Sequence, residues 1–198
     1  MNKQTNSPIA ERDVDTTRAG HTIRNPAIGH RITFLQTSAQ TNGELLQILY
    51  VVEEPETEPA IPLHIHLQSL ERVEVVTGQL GVILDGKRRV LGVGEETYIP
   101  QGTPHTFWNA GEEELQFITD VQPPGQLQTY WETVFGLAED GKVGENGLPN
   151  LLQLAVVASL ADSYDPSVPL PLMKAIISVL GGIGRLLGYK DHYPQYST

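Results

Sequence analysis

The chain lacks cysteine, is poor in basic residues and has no long apolar run. Its 198 residues include no Cys, 13 Lys and Arg, and 24 Asp and Glu, which gives a formal net charge of −11. Without cysteine, disulfide scaffolds, cysteine-based zinc sites and thiol nucleophiles are excluded. The shortage of clustered Lys and Arg disfavours nucleic acid as a partner, because a phosphate backbone is bound by basic side chains.

Apolar segments of targeting or membrane-spanning length are also missing. The first thirty residues contain no apolar segment of signal-peptide length. The longest uncharged stretch within residues 171–189, the last apolar segment, covers residues 175–184, about half of the ~20 residues that span a bilayer. We therefore expect a cytoplasmic protein with no transmembrane segment.

Glycine and proline are abundant and predict many tight turns. The chain has 19 Gly and 14 Pro, more than a typical globular protein carries. Short apolar runs alternate with turn residues from residue 31 to residue 122, a pattern typical of an all-β sandwich or barrel. The predicted strands are 31–38, 44–53, 72–77, 80–84, 89–93, 97–100, 105–108 and 114–120.

The chain divides into three predicted regions, an N-terminal arm (1–30), a β-barrel (31–122) and a helical C-terminal extension (123–198). Helices are predicted over 126–139, 150–164 and 171–189. The last of these is predicted to be amphipathic and to pack on the barrel or on a second subunit. Its predicted apolar stripe consists of Met173, Ile176, Ile177, Leu180, Ile183 and Leu187, and its polar face of Lys174, Ser178, Gly181 and Arg185.

Two histidines stand two residues apart, at His64 and His66. On a strand they point to the same face with Cα atoms roughly 6–7 Å apart, so both imidazoles can reach one metal ion at bonds of about 2.1 Å. Glu71 has the wrong parity for an unbroken strand from His66, so we expect a turn or bulge over residues 67–70 that resets the phase. Glu71 then shares an inward face with Val73 and Val75.

A third histidine, His105, follows a turn built from Gly94, Pro100 and Gly102. His105 and Phe107 share one face of a predicted strand, and Trp108 points to the other, where it is expected to pack outside the barrel, under a helix. Together with the pair at 64 and 66 and Glu71, His105 forms a mixed nitrogen and oxygen ligand set. Such a set suits one divalent ion of Fe, Mn, Ni, Co, Cu or Zn and leaves positions for a substrate.

The spacings of these residues resemble the two motifs of the cupin superfamily. The first reads His64-x-His66-x4-Glu71-x6-Gly78, and the second reads Gly94-x5-Pro100-x-Gly102-x2-His105-x3-Asn109. The resemblance covers residues 31–122 and implies an antiparallel cupin barrel, or jelly roll, followed here by α-helices. It also implies a metal held by His64, His66, Glu71 and His105, and a homodimer.

Several functions fit this resemblance, because the superfamily hosts many chemistries. The first expectation is a metal-dependent oxygenase of the quercetin dioxygenase type, with Glu71 as the catalytic base and a pocket lined by Tyr50, Val73, Val75 and Phe107. The alternatives are a metal-dependent isomerase or lyase of a sugar or keto acid, and a small-molecule-binding cupin without catalysis. Phosphorylated substrates are disfavoured because the predicted barrel interior offers few basic side chains.

Overall fold

The computed structural model describes residues 19–197 and consists of β-strands followed by helices. The strands are β1 (Thr22–Asn25), β2 (His30–Gln36), β3 (Leu46–Val52), β4 (Ile65–His66), β5 (Leu70–Thr77), β6 (Leu80–Leu84), β7 (Lys87–Leu91), β8 (Glu96–Ile99), β9 (His105–Asn109), β10 (Leu115–Gln122) and β11 (Ser163–Tyr164). The α-helices are α1 (Leu127–Glu139), α2 (Leu151–Val157) and α3 (Leu170–Leu186). Two 3-10 turns cover Ala158–Leu160 and Pro194–Tyr196.

Two antiparallel sheets form the body of the fold. The larger has the strand order β1-β2-β3-β10-β5-β8, and the smaller has the order β7-β6-β9. Alternate residues of β2, β5 and β10 are buried, as expected for strands that turn one face to a core and the other to solvent. The predicted all-β barrel with a helical extension is confirmed.

One hydrophobic core joins the two sheets and the helices. It contains Phe34 and Phe117 from the larger sheet, Val82 from the smaller one, and Phe135 and Val157 from α1 and α2. These side chains are at most 2% exposed. The first two helices of the extension therefore belong to the same core as the barrel.

The larger sheet begins with a short strand of the predicted arm, which was expected to dock such a strand onto the barrel without defined bounds. β1 pairs with β2 in the antiparallel sense, and its residues fall within the predicted arm. The rest of that arm, up to residue 18, lies outside the described residues. The division into arm, barrel and extension stays a prediction.

The extension differs from the prediction in two ways. The helix predicted over 150–164 ends at Val157, and a 3-10 turn and β11 follow it. In the predicted polar face of α3, Lys174, Ser178 and Arg185 are exposed but Gly181 is buried against α2. In the predicted apolar stripe, Ile183 and Leu187 are 44% and 66% exposed. Gly181 and Gly184 have no side chain, so the backbones of α3 and α2 approach closely at these two positions. The face of α3 that carries these glycines is therefore buried.

The indole of Trp108 packs on the smaller sheet and is 3% exposed; its predicted packing under a helix stays a prediction. Its ring covers Gly81 so closely that a Cβ there would lie 2.0 Å from a ring atom. The guanidinium of Arg88 lies 4.2 Å from the centre of the same ring, which is the geometry of a cation–π contact.

Within residues 19–197, no helix is both long and apolar enough to cross a membrane.

Candidate metal centre

Backbone pairing brings the first and third histidines of the predicted ligand set together. His64 and His105 form an isolated antiparallel bridge, in which each backbone N–H donates to the other residue's carbonyl oxygen at 3.0 and 2.9 Å. His66 follows on β4, and its carbonyl accepts a hydrogen bond from Gly102 N at 2.6 Å. Gly102 has a φ of 73°, a left-handed conformation that glycine adopts without strain.

The three imidazoles form one compact group. One ligand atom from each of His64, His66 and His105 lies within 4.8 Å of the other two, and the ring centroids are 4.3 to 5.4 Å apart. Two nitrogens bound to one ion at about 2.1 Å are separated by roughly 3 to 4 Å. The observed group therefore needs only small side-chain rotations to hold a single ion.

Each of these imidazoles is fixed by a hydrogen bond from Nδ1 to a backbone carbonyl. The acceptors are Pro62 O at 2.8 Å from His64, Asp162 O at 3.2 Å from His66, and Thr103 O at 2.8 Å from His105. A carbonyl accepts only, so the proton is assigned to Nδ1 in all three rings. Nε2 is the remaining nitrogen of each ring, and such second interactions are typical of metal-binding histidines.

Glu71 lies beside this group, where β5 begins. The chain bends after β4 and resumes at Leu70, so Glu71 points inward, as its predicted phase required, and is 8% exposed. Its Oε2 lies 3.1 Å from Nε2 of His105 and 3.9 Å from Nε2 of His66. Neighbouring ligands of one ion are separated by about the same distance, so Glu71 is well placed as a fourth ligand.

Burial and the carboxylate set the pKa values in this group. Burial, reinforced by the neighbouring imidazoles, lowers the pKa of His64 to about 3, so this ring is neutral at pH 7. Burial opposes ionisation of Glu71, but the hydrogen bond from His105 and the nearby imidazoles outweigh it and lower the carboxyl pKa. Burial also disfavours charge on His105, yet the hydrogen bond and charge of Glu71 raise its pKa above the usual value.

The ligand chemistry fits a divalent transition metal. A neutral imidazole and an ionised carboxylate are the forms that bind metal ions. The close contact between Glu71 Oε2 and His105 Nε2 is one in which a cation can replace a shared proton. The predicted ligands His64, His66, Glu71 and His105 are therefore brought together, and their role as ligands stays a proposal.

The predicted pocket residues fall into two groups. Tyr50 and Phe107 line a cavity of about 350 Å³ that also contacts His64, His66 and Glu71. Val73 and Val75 are 0% and 1% exposed and belong to the hydrophobic core, outside the cavity-lining residues. Their proposed contact with a substrate stays a prediction.

Sequence patterns missed the contribution of the C-terminal extension to the metal centre. β11 pairs with β4 in the register Ser163 to His66 and Tyr164 to Ile65. Asp162, which precedes β11, accepts a hydrogen bond from His66 through its carbonyl and one from Gln68 N through Oδ2 at 2.7 Å. Its φ of 46° is left-handed, and no periodic pattern signals a contact across 96 residues.

A further buried histidine, His30, lies outside the metal centre. Its Nδ1 is 2.9 Å from the Tyr50 hydroxyl and its Nε2 is 3.2 Å from Glu56 Oε1. The other oxygen of Glu56 accepts from Asn109 N at 3.1 Å. This network ties the Tyr50 side of the cavity to the end of β9.

Comparison with known proteins gives one family and several partial relatives. The family described as "Cupin domain" matches residues 50–121. Quercetin 2,3-dioxygenase of Bacillus subtilis is 33% identical over 79 residues, which is 40% of this chain and 23% of that protein. A "probable oxidoreductase patJ" of Penicillium expansum is 24% identical over 188 residues, 87% of this chain and 57% of that one.

Among solved structures, the protein KdgF from a Halomonas species is 18% identical. It matches 52% of this chain and 88% of its own length, with a TM-score of 0.44. The chain spans less than three fifths of the length of the two curated relatives described above.

Proposed function

Residues 50–121 of this chain form a cupin domain, and on this premise we propose that the protein is a metal-dependent oxidoreductase acting on a small organic molecule. The proposed reaction class is dioxygen-dependent oxidation of the quercetin dioxygenase type. Two observations support it. The curated relatives carry the names quercetin 2,3-dioxygenase and probable oxidoreductase, and the histidine group has the ligand chemistry of a transition-metal site.

The observation that carries the proposal is the common orientation of the three imidazoles. Each Nδ1 is engaged by a backbone carbonyl at 2.8 to 3.2 Å, and Nε2 of His66 and His105 approaches the same carboxylate oxygen of Glu71. Histidines buried only for packing do not need three matching acceptors and one shared carboxylate. This arrangement is typical of a metal centre, because second-shell partners fix the tautomer and the direction of each ligand.

A bound transition metal supplies Lewis acidity and redox chemistry to a substrate oxygen. The protein side chains have separate tasks. His64, His66 and His105 hold the ion, and their backbone acceptors keep the rings from rotating. Glu71, with its lowered pKa, is ionised at neutral pH and can accept a proton from a substrate hydroxyl within reach of Oε2.

The cavity composition argues against the sugar-phosphate alternative. Phosphate groups are usually bound by Lys, Arg or helix N-termini. No Lys or Arg belongs to the residues that line the cavity. An isomerase or lyase acting on an unphosphorylated keto acid, and a binding protein without turnover, are distinguished from an oxygenase by the assays below.

The first experiment measures the metal content of the purified protein. We expect close to one transition-metal ion per chain in the wild type and loss of most of it in His105→Ala. His30→Ala serves as a matched control, because His30 is equally buried, at 1% against 0% exposure, but belongs to the Tyr50 network. Equal metal content in both variants, or none in the wild type, would refute the metal centre.

The second experiment measures oxygen consumption by the metal-loaded protein with flavonols, 1,3-diketones and catechols. We expect uptake with at least one class and its loss in Glu71→Gln at retained metal content. Metal-loaded protein that isomerises or cleaves a keto acid without consuming oxygen would favour the lyase alternative. Metal-loaded protein that converts none of these compounds would overturn the oxygenase assignment.

A further inference from the structure

The metal-centre cavity extends beyond the barrel and is also lined by the C-terminal extension. One side is formed by barrel residues that include Tyr50, Phe107 and Phe117, and the opposite side by residues of α1, α2 and α3. We call this cavity the chamber, and we call Met173, Ile176, Ile177 and Leu180 of α3 the roof. At about 350 Å³, the chamber is near the lower end of the range for small-molecule sites.

The chamber is apolar except at the metal centre. Aromatic rings of Tyr50, Phe107, Phe117 and Trp131 contribute to its walls. Its charged lining residues are Glu71 and Asp165. Asp165 is exposed, and its Oδ1 accepts hydrogen bonds from the backbone N–H and hydroxyl of Ser167 at 2.8 and 2.6 Å. Beyond the metal centre, the lining therefore offers no Lys or Arg to a ligand, and its one other carboxylate, Asp165, is exposed to solvent.

Two glycines of α3 set the distance between this helix and α2, and so the position of the roof. A Cβ at Gly181 would lie 3.0 Å from the carbonyl oxygen of Ala155, and a Cβ at Gly184 would lie 2.8 Å from that of Leu152. Both contacts are to the backbone of α2, so the helices pack at glycine-limited distance. The N-terminal half of α3 extends past this contact and reaches the chamber, where Met173, Ile177 and Leu180 are partly buried.

From these observations we propose that the chamber binds an uncharged, largely apolar ring compound and that the roof residues of α3 determine this specificity. The ring system would lie between the barrel aromatics and the roof. Its oxygen-bearing end would face His64, His66 and Glu71. That this ligand is a substrate rests on the proposed function. Its binding to the chamber does not require a metal.

Burial of charge gives the physical reason for the specificity. A charged group moved from water into an apolar cavity loses its hydration, and this loss is repaid only by a partner of opposite charge or by hydrogen bonds. Apolar rings, in contrast, gain from leaving water. A neutral compound should therefore bind more tightly than an analogue of the same shape that carries one charge.

Two fluorescent probes with the same ring system test this directly. N-phenyl-1-naphthylamine is neutral, and 8-anilinonaphthalene-1-sulfonate carries one sulfonate on the same rings. We expect saturable one-to-one binding of the neutral probe to the full-length protein, at least tenfold tighter than binding of the sulfonate. Equal or tighter binding of the sulfonate would overturn the proposal.

Paired substitutions on α3 locate the binding site. Ile177→Lys places a charge in the roof and should weaken the neutral probe at least tenfold. Val179→Lys is the matched control, because Val179 is on the same helix, 62% exposed, and is not among the chamber-lining residues. If Val179→Lys weakens the probe and Ile177→Lys does not, the probe binds the outer face of α3 and the proposal is wrong.

A second variant with a larger apolar side chain tests the same site if the lysine variant does not fold. Ile177→Trp keeps the roof apolar but fills part of the chamber, so it should exclude the naphthylamine probe while phenol still binds. Circular dichroism confirms that each variant is folded. Unchanged binding of the naphthylamine probe to folded Ile177→Trp would also overturn the proposal.

The same titrations with chelator-treated protein separate this inference from the proposed function. Neutral-probe binding that persists after the metal has been removed would support the apolar chamber independently of the metal centre. The metal centre itself is refuted if the untreated wild-type protein carries no transition metal, whatever the probe does. A protein that carries the metal but binds the neutral probe no better than the sulfonate would refute the chamber specificity alone.

Discussion

The barrel and the C-terminal extension both contact the chamber, but they do so through different kinds of interaction. The barrel supplies chemical groups from neighbouring strand positions, as with His64 and His66, which are separated by one residue. The extension supplies apolar side chains from α3 and one backbone carbonyl, that of Asp162. The positions of the proposed ligands thus depend on local strand geometry, whereas the part of the chamber lining that comes from the extension depends on packing between distant segments.

The first prediction tests whether the extension and the barrel share one core. Phe135→Ala in α1 and Phe34→Ala in β2 each remove a ring that is at most 1% exposed. Because both rings belong to the same cluster, each variant should lose about 3–5 kcal/mol of unfolding free energy. Urea denaturation followed by circular dichroism measures this, and the transition should remain single.

A loss below about 1 kcal/mol for Phe135→Ala alone, or two separate transitions, would show that the extension folds as an independent unit. The barrel and the extension would then be two domains in contact rather than one core.

The second prediction tests whether α3 packs closely on α2 at Gly184. Gly184→Ala places a Cβ 2.8 Å from Leu152 O and 2.7 Å from Val156 Cγ2, which should cost about 1–3 kcal/mol through overpacking. Gly182→Ala meets no atom within 4 Å and should stabilise the helix by up to about 1 kcal/mol. Thermal melts should therefore shift in opposite directions.

Two equal upward shifts would contradict the close packing of α3 on α2. The neutral probe of the chamber gives a second readout, because Gly184→Ala should also displace the roof and weaken probe binding, whereas Gly182→Ala should not.

The third prediction concerns Asp162, whose carbonyl accepts the hydrogen bond from the proposed metal ligand His66. Asp162→Ala removes the Oδ2 acceptor of Gln68 N and places alanine at a left-handed φ of 46°. The carbonyl that orients His66 should move, and metal affinity should fall about tenfold, as is typical for loss of a second-shell contact. Competition with a fluorescent chelator measures this affinity.

Asp162→Asn is the conservative control, since asparagine tolerates left-handed backbone and its side-chain oxygen can accept the same hydrogen bond. It should retain most of the affinity. Equal affinities of both variants and the wild type would show that the extension does not position His66.

The smallest expected effect lies on the outer side of the barrel, away from the chamber. Arg88→Ala removes the cation 4.2 Å from the Trp108 ring and should cost about 0.5–1 kcal/mol. Arg89→Ala, on the neighbouring exposed position of β7, should cost less. Arg88 and Trp108 are not among the residues that line the chamber, so Arg88→Ala should leave metal and probe binding unchanged. A loss of either in this variant would contradict that expectation.

Local patterns predicted the barrel better than the extension for a physical reason. Strand periodicity and turn residues depend on neighbours in sequence, so the eight predicted strands and the inward phase of Glu71 could be inferred. α3 has apolar residues on most of its surface, so periodicity alone could not select its buried face. That face was decided by the closest backbone approach, at Gly181 and Gly184.

The pairing of β11 with β4 could not be predicted either. It involves two residues on each side, too few for a periodic signal, and it joins segments almost a hundred residues apart. The carbonyl acceptors of the three histidines are main-chain atoms, which no residue type reveals. The ligand set was predictable, whereas the interactions that orient it were not.

The metal centre is tested most directly by an anomalous difference map from a crystal of the metal-loaded protein, recorded at the absorption edge of that metal. We expect one strong peak about 2.1 Å from Nε2 of His64, His66 and His105, with Glu71 Oε2 beside it. A peak bonded to any Nδ1 atom, a peak elsewhere, or no peak in protein that contains the metal would contradict it.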